Sequence, residues 1–140
     1  MEVLNGIPNV PAPIGPYSQA VKVGQLLFCS GQIALDPKTG QLVSGGIEQQ
    51  TDQVLRNLAA TLSGAGSSPD KIVMTTIFLT EMDYGKVVNE KYRDFVSKQS
   101  PPARQTVAVK ALPAGAIIEI SVIAEVSSTV GSQVNLNRPF

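Results

Sequence analysis

Two side chains near the end of the 140-residue chain stand out for chemistry, Arg104 in Pro102-Ala103-Arg104 and Glu119 in Ile118-Glu119-Ile120. A carboxylate set between isoleucines on a strand loses hydration. It must then be paired, hydrogen-bonded or partly protonated, and each of these states suits a functional site. A structural ion pair answers the same constraint.

The elements that hold these two residues follow from the local pattern. Pro101-Pro102 forbids helix and delivers an extended run from Ala103 to Lys110, which closes at Leu112-Pro113-Ala114-Gly115 and returns as Ala116 to Val126. This strand, turn and strand sets Arg104 and Glu119 on adjacent strands. Alternation in the second strand puts Ile118, Ile120, Val122, Ala124 and Val126 on one face and Ile117, Glu119, Ser121 and Ile123 on the other. In the first strand Arg104, Thr106 and Ala108 share a face.

Composition removes several kinds of chemistry. The chain has no histidine, which excludes Ser-His-Asp and Cys-His nucleophilic schemes and most zinc sites. Eleven basic and eleven acidic residues cancel, and no run of Lys and Arg offers a surface for polyanions, so nucleic acid is the weakest class of partner. One cysteine, Cys29, cannot form an internal disulfide and fits a reducing compartment. By alternation Cys29 points away from Ser30 and reads as core packing. No apolar stretch approaches membrane-spanning length. The expected setting is cytoplasmic, with a mitochondrial or plastid location left open. With 43% hydrophobic residues, one domain over residues 1–126 is affordable and a second is not.

The rest of the chain reads in order. Residues 1–16 are rich in Pro, Gly and Asn and form an arm or loop. Ser18 to Val23, a turn at Gly24-Gln25, and Leu26 to Ser30 make a hairpin ending at Ser30-Gly31-Gln32. Ile47 to Leu62 carries Val54, Leu55, Leu58 and Leu62 at helical spacing, with Gln53 on the outer side. Lys71 to Thr80 is a central strand. Met82 to Lys98 is a second helix, with Asp83 as its N-cap and Tyr92 and Phe95 as packing. The expected fold is an α+β two-layer sandwich, a mixed sheet with two helices on one face. Its other face, reached by Ile117, Ile123 and Leu27, is expected to be covered by copies of the same chain.

Five segments in register carry a resemblance: residues 14–20 (IGPYSQA), Ser30-Gly31-Gln32, Val88-Asn89-Glu90, Pro102-Ala103-Arg104 and Ile118-Glu119-Ile120. From about Pro11 to Val126 the chain resembles the Rid family of YjgF-type proteins, and within it reactive intermediate deaminases of the RidA type. The resemblance implies a chorismate-mutase-like fold, a homotrimer with clefts between subunits, and hydrolysis of 2-aminoacrylate and 2-imino acids to 2-keto acids and ammonia. No cofactor and no metal enter that reading. It gives Arg104 to the substrate carboxylate and Glu119 to the attacking water, where burial would raise the Glu119 pKa and Arg104 would oppose the rise. Tyr17 would line the cleft, Ser30 and Gly31 would hydrogen-bond near the ligand, and Asn89 would lie near the cleft or serve the helix face.

Thr106 stands where many relatives have cysteine. No thiol nucleophile is available there, and Thr106 can offer only its backbone N–H and hydroxyl. A non-catalytic small-ligand-binding or chaperone-like trimer is the alternative reading, and a ribonuclease that inhibits translation is a weaker one. Residues 127–140 extend past the resemblance as a tail that is either mobile or pinned on a neighbouring subunit.

Overall fold

Apolar residues of one parity on the strands, and one stripe on each helix, meet in a single layer between sheet and helices. The computed structural model describes residues 1–126, so the expectations for residues 127–140 lie outside the described residues. The strands are β1 (Glu2–Leu4), β2 (Ala20–Val23), β3 (Leu26–Gln32), β4 (Ile72–Leu79), β5 (Ala103–Ala108) and β6 (Ile118–Glu125), with helices α1 (Ile47–Gly64) and α2 (Gly85–Phe95). They form one six-stranded sheet in the order β1-β2-β3-β6-β4-β5. Only the β4–β5 pair is parallel, joined through α2, as a crossover connection requires.

On β6 the alternation is as expected. Ile118, Ile120, Val122 and Ala124 are buried, while Glu119, Ser121 and Ile123 are half-buried on the opposite face. Leu58 and Leu62 of α1 and Val88 of α2 pack on the buried parity. Each fully buried Leu contributes about 1.5–3 kcal/mol relative to exposure.

Five expectations are corrected. The segment from Ala103 to Val126 is not a hairpin: β6 lies between β3 and β4, and β4 separates it from β5. β5 is exposed along nearly its whole length and belongs at an edge, whereas the alternately buried β6 needs a neighbour on each side. The connection from Ala108 to Ile118 easily spans the about 10 Å across β4. Local turn signals at Leu112-Pro113-Ala114-Gly115 do not distinguish a hairpin from such a crossing.

The N-terminal arm contributes a strand, β1, paired with β2. Gln19, 2% exposed, ties the rest of the arm down. Its side chain accepts from the Ile7 N–H at 2.9 Å and donates to the Pro11 carbonyl at 3.0 Å, while its own N–H donates to Asn5 Oδ1 at 3.0 Å. Asp83 does not cap α2. It lies in a 3-10 turn, Met82–Tyr84, that leads into the helix without a side-chain cap.

Leu27 and Gln53 face inward. Leu27 is fully buried in the core, and Gln53 donates to Asn57 Oδ1 at 2.9 Å beneath α1. The residues of β3 that reach the helix-free face are Leu26 and Phe28, which with Val23 and Val107 leave that face apolar and exposed. Among the described residues, no helix is long and apolar enough to cross a membrane.

Candidate active site

The β4 register determines where the two charged side chains point. Arg104 pairs with Thr75, and Glu119 pairs with Phe78. Positions 75 and 78 differ in parity, so their in-register neighbours project to opposite faces of the sheet. Thr75 is fully buried under the helices, which puts Arg104 on the helix side at the sheet edge and Glu119 on the helix-free side. The expectation of Arg104 and Glu119 side by side is therefore corrected, and the two head separate clusters of side chains.

The Glu119 cluster occupies a cleft of about 440 Å³ lined by Ile14, Tyr17, Ser30, Gly31, Pro113 and Glu119, among others. Ser30 and Gly31 fall in the register shift between Cys29 and Gln32, where the ladder with β6 is interrupted. A Cβ on Gly31 would sit 2.8 Å from Glu119 Oε2, so only glycine admits the carboxylate in this position. Glu119 has no hydrogen-bond or ion-pair partner among the described residues, and desolvation raises its pKa above the ordinary 4.5. Among the described residues no arginine opposes that rise, because Arg104 faces the other way.

Ser30 Oγ donates to the Ser18 carbonyl at 2.5 Å, and the Ser30 N–H donates to the Gln19 carbonyl at 3.1 Å. Tyr17 is half-exposed, and its Oη accepts from the Ile14 N–H at 3.2 Å, which folds the ring over the cleft-lining turn. Ala114, in the turn after Pro113, is held at φ +57°, a conformation L side chains rarely adopt.

The Arg104 cluster sits where the β5 edge meets α2, beside a cleft of about 600 Å³. Arg104 Nη1 donates to Asn89 Oδ1 at 2.7 Å, and the guanidinium lies 5.1 Å from the centroid of the Tyr92 ring. Tyr92 Oη in turn donates to Thr75 Oγ1 at 2.9 Å. Burial pushes the Tyr92 phenol above its ordinary range, opposed by the Thr75 bond and by Arg104. Two residues along the strand, Thr106 Oγ1 is buried without a partner among the described residues.

Asn89, which the sequence leaves open between a cleft role and a helix-face role, holds Arg104. Tyr92, expected as packing only, also meets the guanidinium. The signal available in the sequence is the spacing of Asn89 and Tyr92, three apart on one helix face, just before the arginine strand. Cys29 is buried and its thiol is pushed up to about 12, which removes it as a nucleophile near neutral pH.

The two clusters hold complementary chemistry. One offers a guanidinium with unused donors for an anion. The other offers a desolvated carboxyl that can exchange protons with a water in a partly apolar cleft.

Comparison with known proteins converges on one family. The family model described as Endoribonuclease L-PSP matches residues 7–126. A 2-iminobutanoate/2-iminopropanoate deaminase of Mus musculus is 46% identical over 116 residues, which are 83% of this chain and 85% of the mouse protein. A Rid-family protein of unknown function from Yersinia pestis superposes with a TM-score of 0.85 at 50% identity, covering 89% of this chain and 98% of that one. Escherichia coli TdcF, solved with bound serine, superposes with a TM-score of 0.83 at 32% identity, covering 91% of this chain and all of that one.

Proposed function

The chain belongs to the Endoribonuclease L-PSP family, the Rid family of the resemblance above, and from that premise we propose that it is an enamine/imine deaminase. Its substrates would be 2-aminoacrylate and small 2-imino acids, released when pyridoxal-phosphate enzymes eliminate from hydroxy amino acids. The observation that carries the reading is the unpartnered Glu119 carboxyl, raised in pKa and lodged against the missing side chain of Gly31 in the cleft.

In the proposed reaction Arg104 holds the substrate carboxylate through two parallel N–H donors, which fixes the C=N carbon relative to the protein. Glu119, ionised, takes a proton from a water as its oxygen bonds to that carbon. The C=N π electrons move to nitrogen, giving a tetrahedral aminol. As that aminol forms, Glu119 returns the proton to the nitrogen; it then takes the hydroxyl proton and delivers it to the amino nitrogen, so that the C–N bond breaks, ammonia leaves and the hydroxyl oxygen becomes the keto oxygen. An enamine enters the same path after tautomerising to the imine. Tyr17, Ser30 and Gly31 border the cleft, and Thr106 and Asn89 stand beside the arginine. No covalent intermediate is required, which agrees with threonine at position 106.

Arg104 and Glu119 face opposite sides of one sheet, so a substrate of three or four carbons needs the Arg104 cluster of one protomer and the Glu119 cluster of another. A homotrimer with clefts between subunits answers that need, and the exposed apolar face with Phe28 and Val107 supports such an assembly. A small-ligand-binding trimer without turnover is the second reading, favoured by the serine bound to TdcF. The ribonuclease reading has the family description behind it and the neutral charge against it.

The test is a coupled assay in which a pyridoxal-phosphate threonine dehydratase supplies the enamine and 2-keto acid formation is followed. The wild type accelerates it, whereas Arg104→Ala and Glu119→Ala do not. A well-folded wild-type oligomer with no acceleration across several amino-acid precursors would sink the deaminase reading in favour of the binding one.

A further inference from the structure

We infer that Tyr92 is a positioning residue for the Arg104 fork, acting through the face of its ring. Three contacts close a loop around the guanidinium. Thr75 pairs in register with Arg104 across β4 and β5, so its side chain stands directly beside the origin of the arginine side chain. Thr75 is fully buried and accepts the Tyr92 hydroxyl at 2.9 Å, which fixes where the phenol ring lies. The ring then supports the guanidinium at 5.1 Å from its centroid, and Asn89, one helical turn earlier on α2, takes one N–H at 2.7 Å.

The loop answers a specific difficulty. Arg104 is exposed at a sheet edge, and a free arginine there would lose much rotamer entropy on binding a carboxylate. A buried hydroxyl pair anchors the ring to the strand, the ring sets the plane of the fork, and Asn89 sets its rotation within that plane. Among the described residues Asn89 is the only hydrogen-bond partner of the guanidinium, so its other donors are left for an anion. Tyr92 touches neither the substrate nor the water in this arrangement. Its effect is to present Arg104 already oriented.

The inference rests on Arg104 being the carboxylate fork, and its test separates the two. The probe is 2-oxobutanoate, with affinity measured by calorimetry on the intact oligomer, alongside KM and kcat in the coupled assay. Tyr92→Leu weakens binding about fivefold, raises KM to the same degree and leaves kcat within about twofold. Tyr92→Phe keeps the ring face and loses its anchor on Thr75, so it weakens binding about two- to threefold, less than Tyr92→Leu. In an Arg104→Ala background Tyr92→Leu causes no further loss, since the ring has no guanidinium to hold.

If Tyr92→Leu does not fold, 3,4,5-trifluorophenylalanine at position 92, compared with Tyr92→Phe, withdraws charge from the ring face without changing its shape, and it weakens binding about threefold. Equal losses in the wild-type and Arg104→Ala backgrounds would show a merely structural role and overturn the inference. So would unchanged affinity in folded Tyr92→Leu or in the fluorinated protein, or wild-type affinity in Arg104→Ala. Arg104-dependent binding without turnover would defeat the deaminase reading and leave the positioning role standing on the binding cycle.

Discussion

The Arg104 cluster and the Glu119 cluster solve opposite problems with opposite means. Arg104 is a long, exposed side chain at an edge, and side-chain contacts from Asn89 and Tyr92 restrain it. Glu119 is a short, half-buried side chain on a central strand, and it is restrained by backbone, through the absence of a Cβ at Gly31 and the register shift around it. A cation stays charged in water or against a ring, so it can be held from outside. A carboxyl that must change protonation is better left without strong partners, because each would fix one state. In the proposed reaction, mobility of charge belongs to one cluster and fixity to the other.

The largest test of that contrast is Glu119→Gln, which removes proton exchange and keeps shape. The rate in the coupled assay falls by about 10²–10⁴ while the fold persists. The same variant is more stable at pH 7, with Tm up by about 1–3 °C, because the folded state no longer holds a desolvated carboxylate. A group whose folded pKa is raised costs stability above that pKa, and the cost disappears once both states are protonated. The Tm advantage of Glu119→Gln therefore vanishes as pH falls below the ordinary glutamate value of 4.5. For the wild type, kcat/KM declines on the acid side with an apparent pKa above 4.5. An acid limb at or below that value would show that Arg104 of another protomer, rather than desolvation, governs Glu119.

Gly31→Ala breaks the backbone restraint. Its Cβ would lie 2.8 Å from Glu119 Oε2, so the carboxyl must move, and activity falls about tenfold or more with a modest loss of Tm. If activity survives unchanged, the Glu119 rotamer seen here is not the working one.

Asn89→Ala breaks the side-chain restraint on the other side. It raises KM about three- to tenfold and leaves kcat nearly unchanged, since one charge-assisted hydrogen bond holding Arg104 is lost. A fall in kcat with constant KM would move Asn89 from holding the arginine to touching the reacting atoms.

Thr106→Val has the smallest expected effect. It removes a buried hydroxyl that lacks a partner among the described residues, so Tm rises by about 1–3 °C. A rise in KM of about threefold alongside would show that the hydroxyl serves the ligand, and an unchanged KM would leave position 106 to its backbone N–H.

Most elements were legible because their signals are local. The apolar stripe of α1, the hairpin of β2 and β3, the β-branched run of β4 and the alternation of β6 all repeat within a few residues. Asp83 misled because a capping residue type was present without the cap geometry, and the chain instead enters α2 through a 3-10 turn. β1 was hidden because three residues in a Pro- and Gly-rich arm carry too little pattern, and pairing with β2 makes them a strand. The residues of the candidate site could be named from the sequence as types in register. Their grouping was not, since Tyr92 meets Arg104 only once α2 packs across β4 and β5.

By itself the sequence determined which residues share a face along each strand, because side-chain parity is a property of the backbone repeat, whereas packing decided which face lies inward, as Leu27 and Gln53 show. It also determined the chemistry on offer, a fork-bearing Arg104 and a desolvated Glu119 without histidine or a reactive thiol. The order β3-β6-β4-β5 belonged to the tertiary structure, because strand neighbours are chosen by packing over long separations that no local turn encodes. That order puts β4 between the two charges and, through the parity of Thr75 and Phe78, turns them to opposite faces of the sheet.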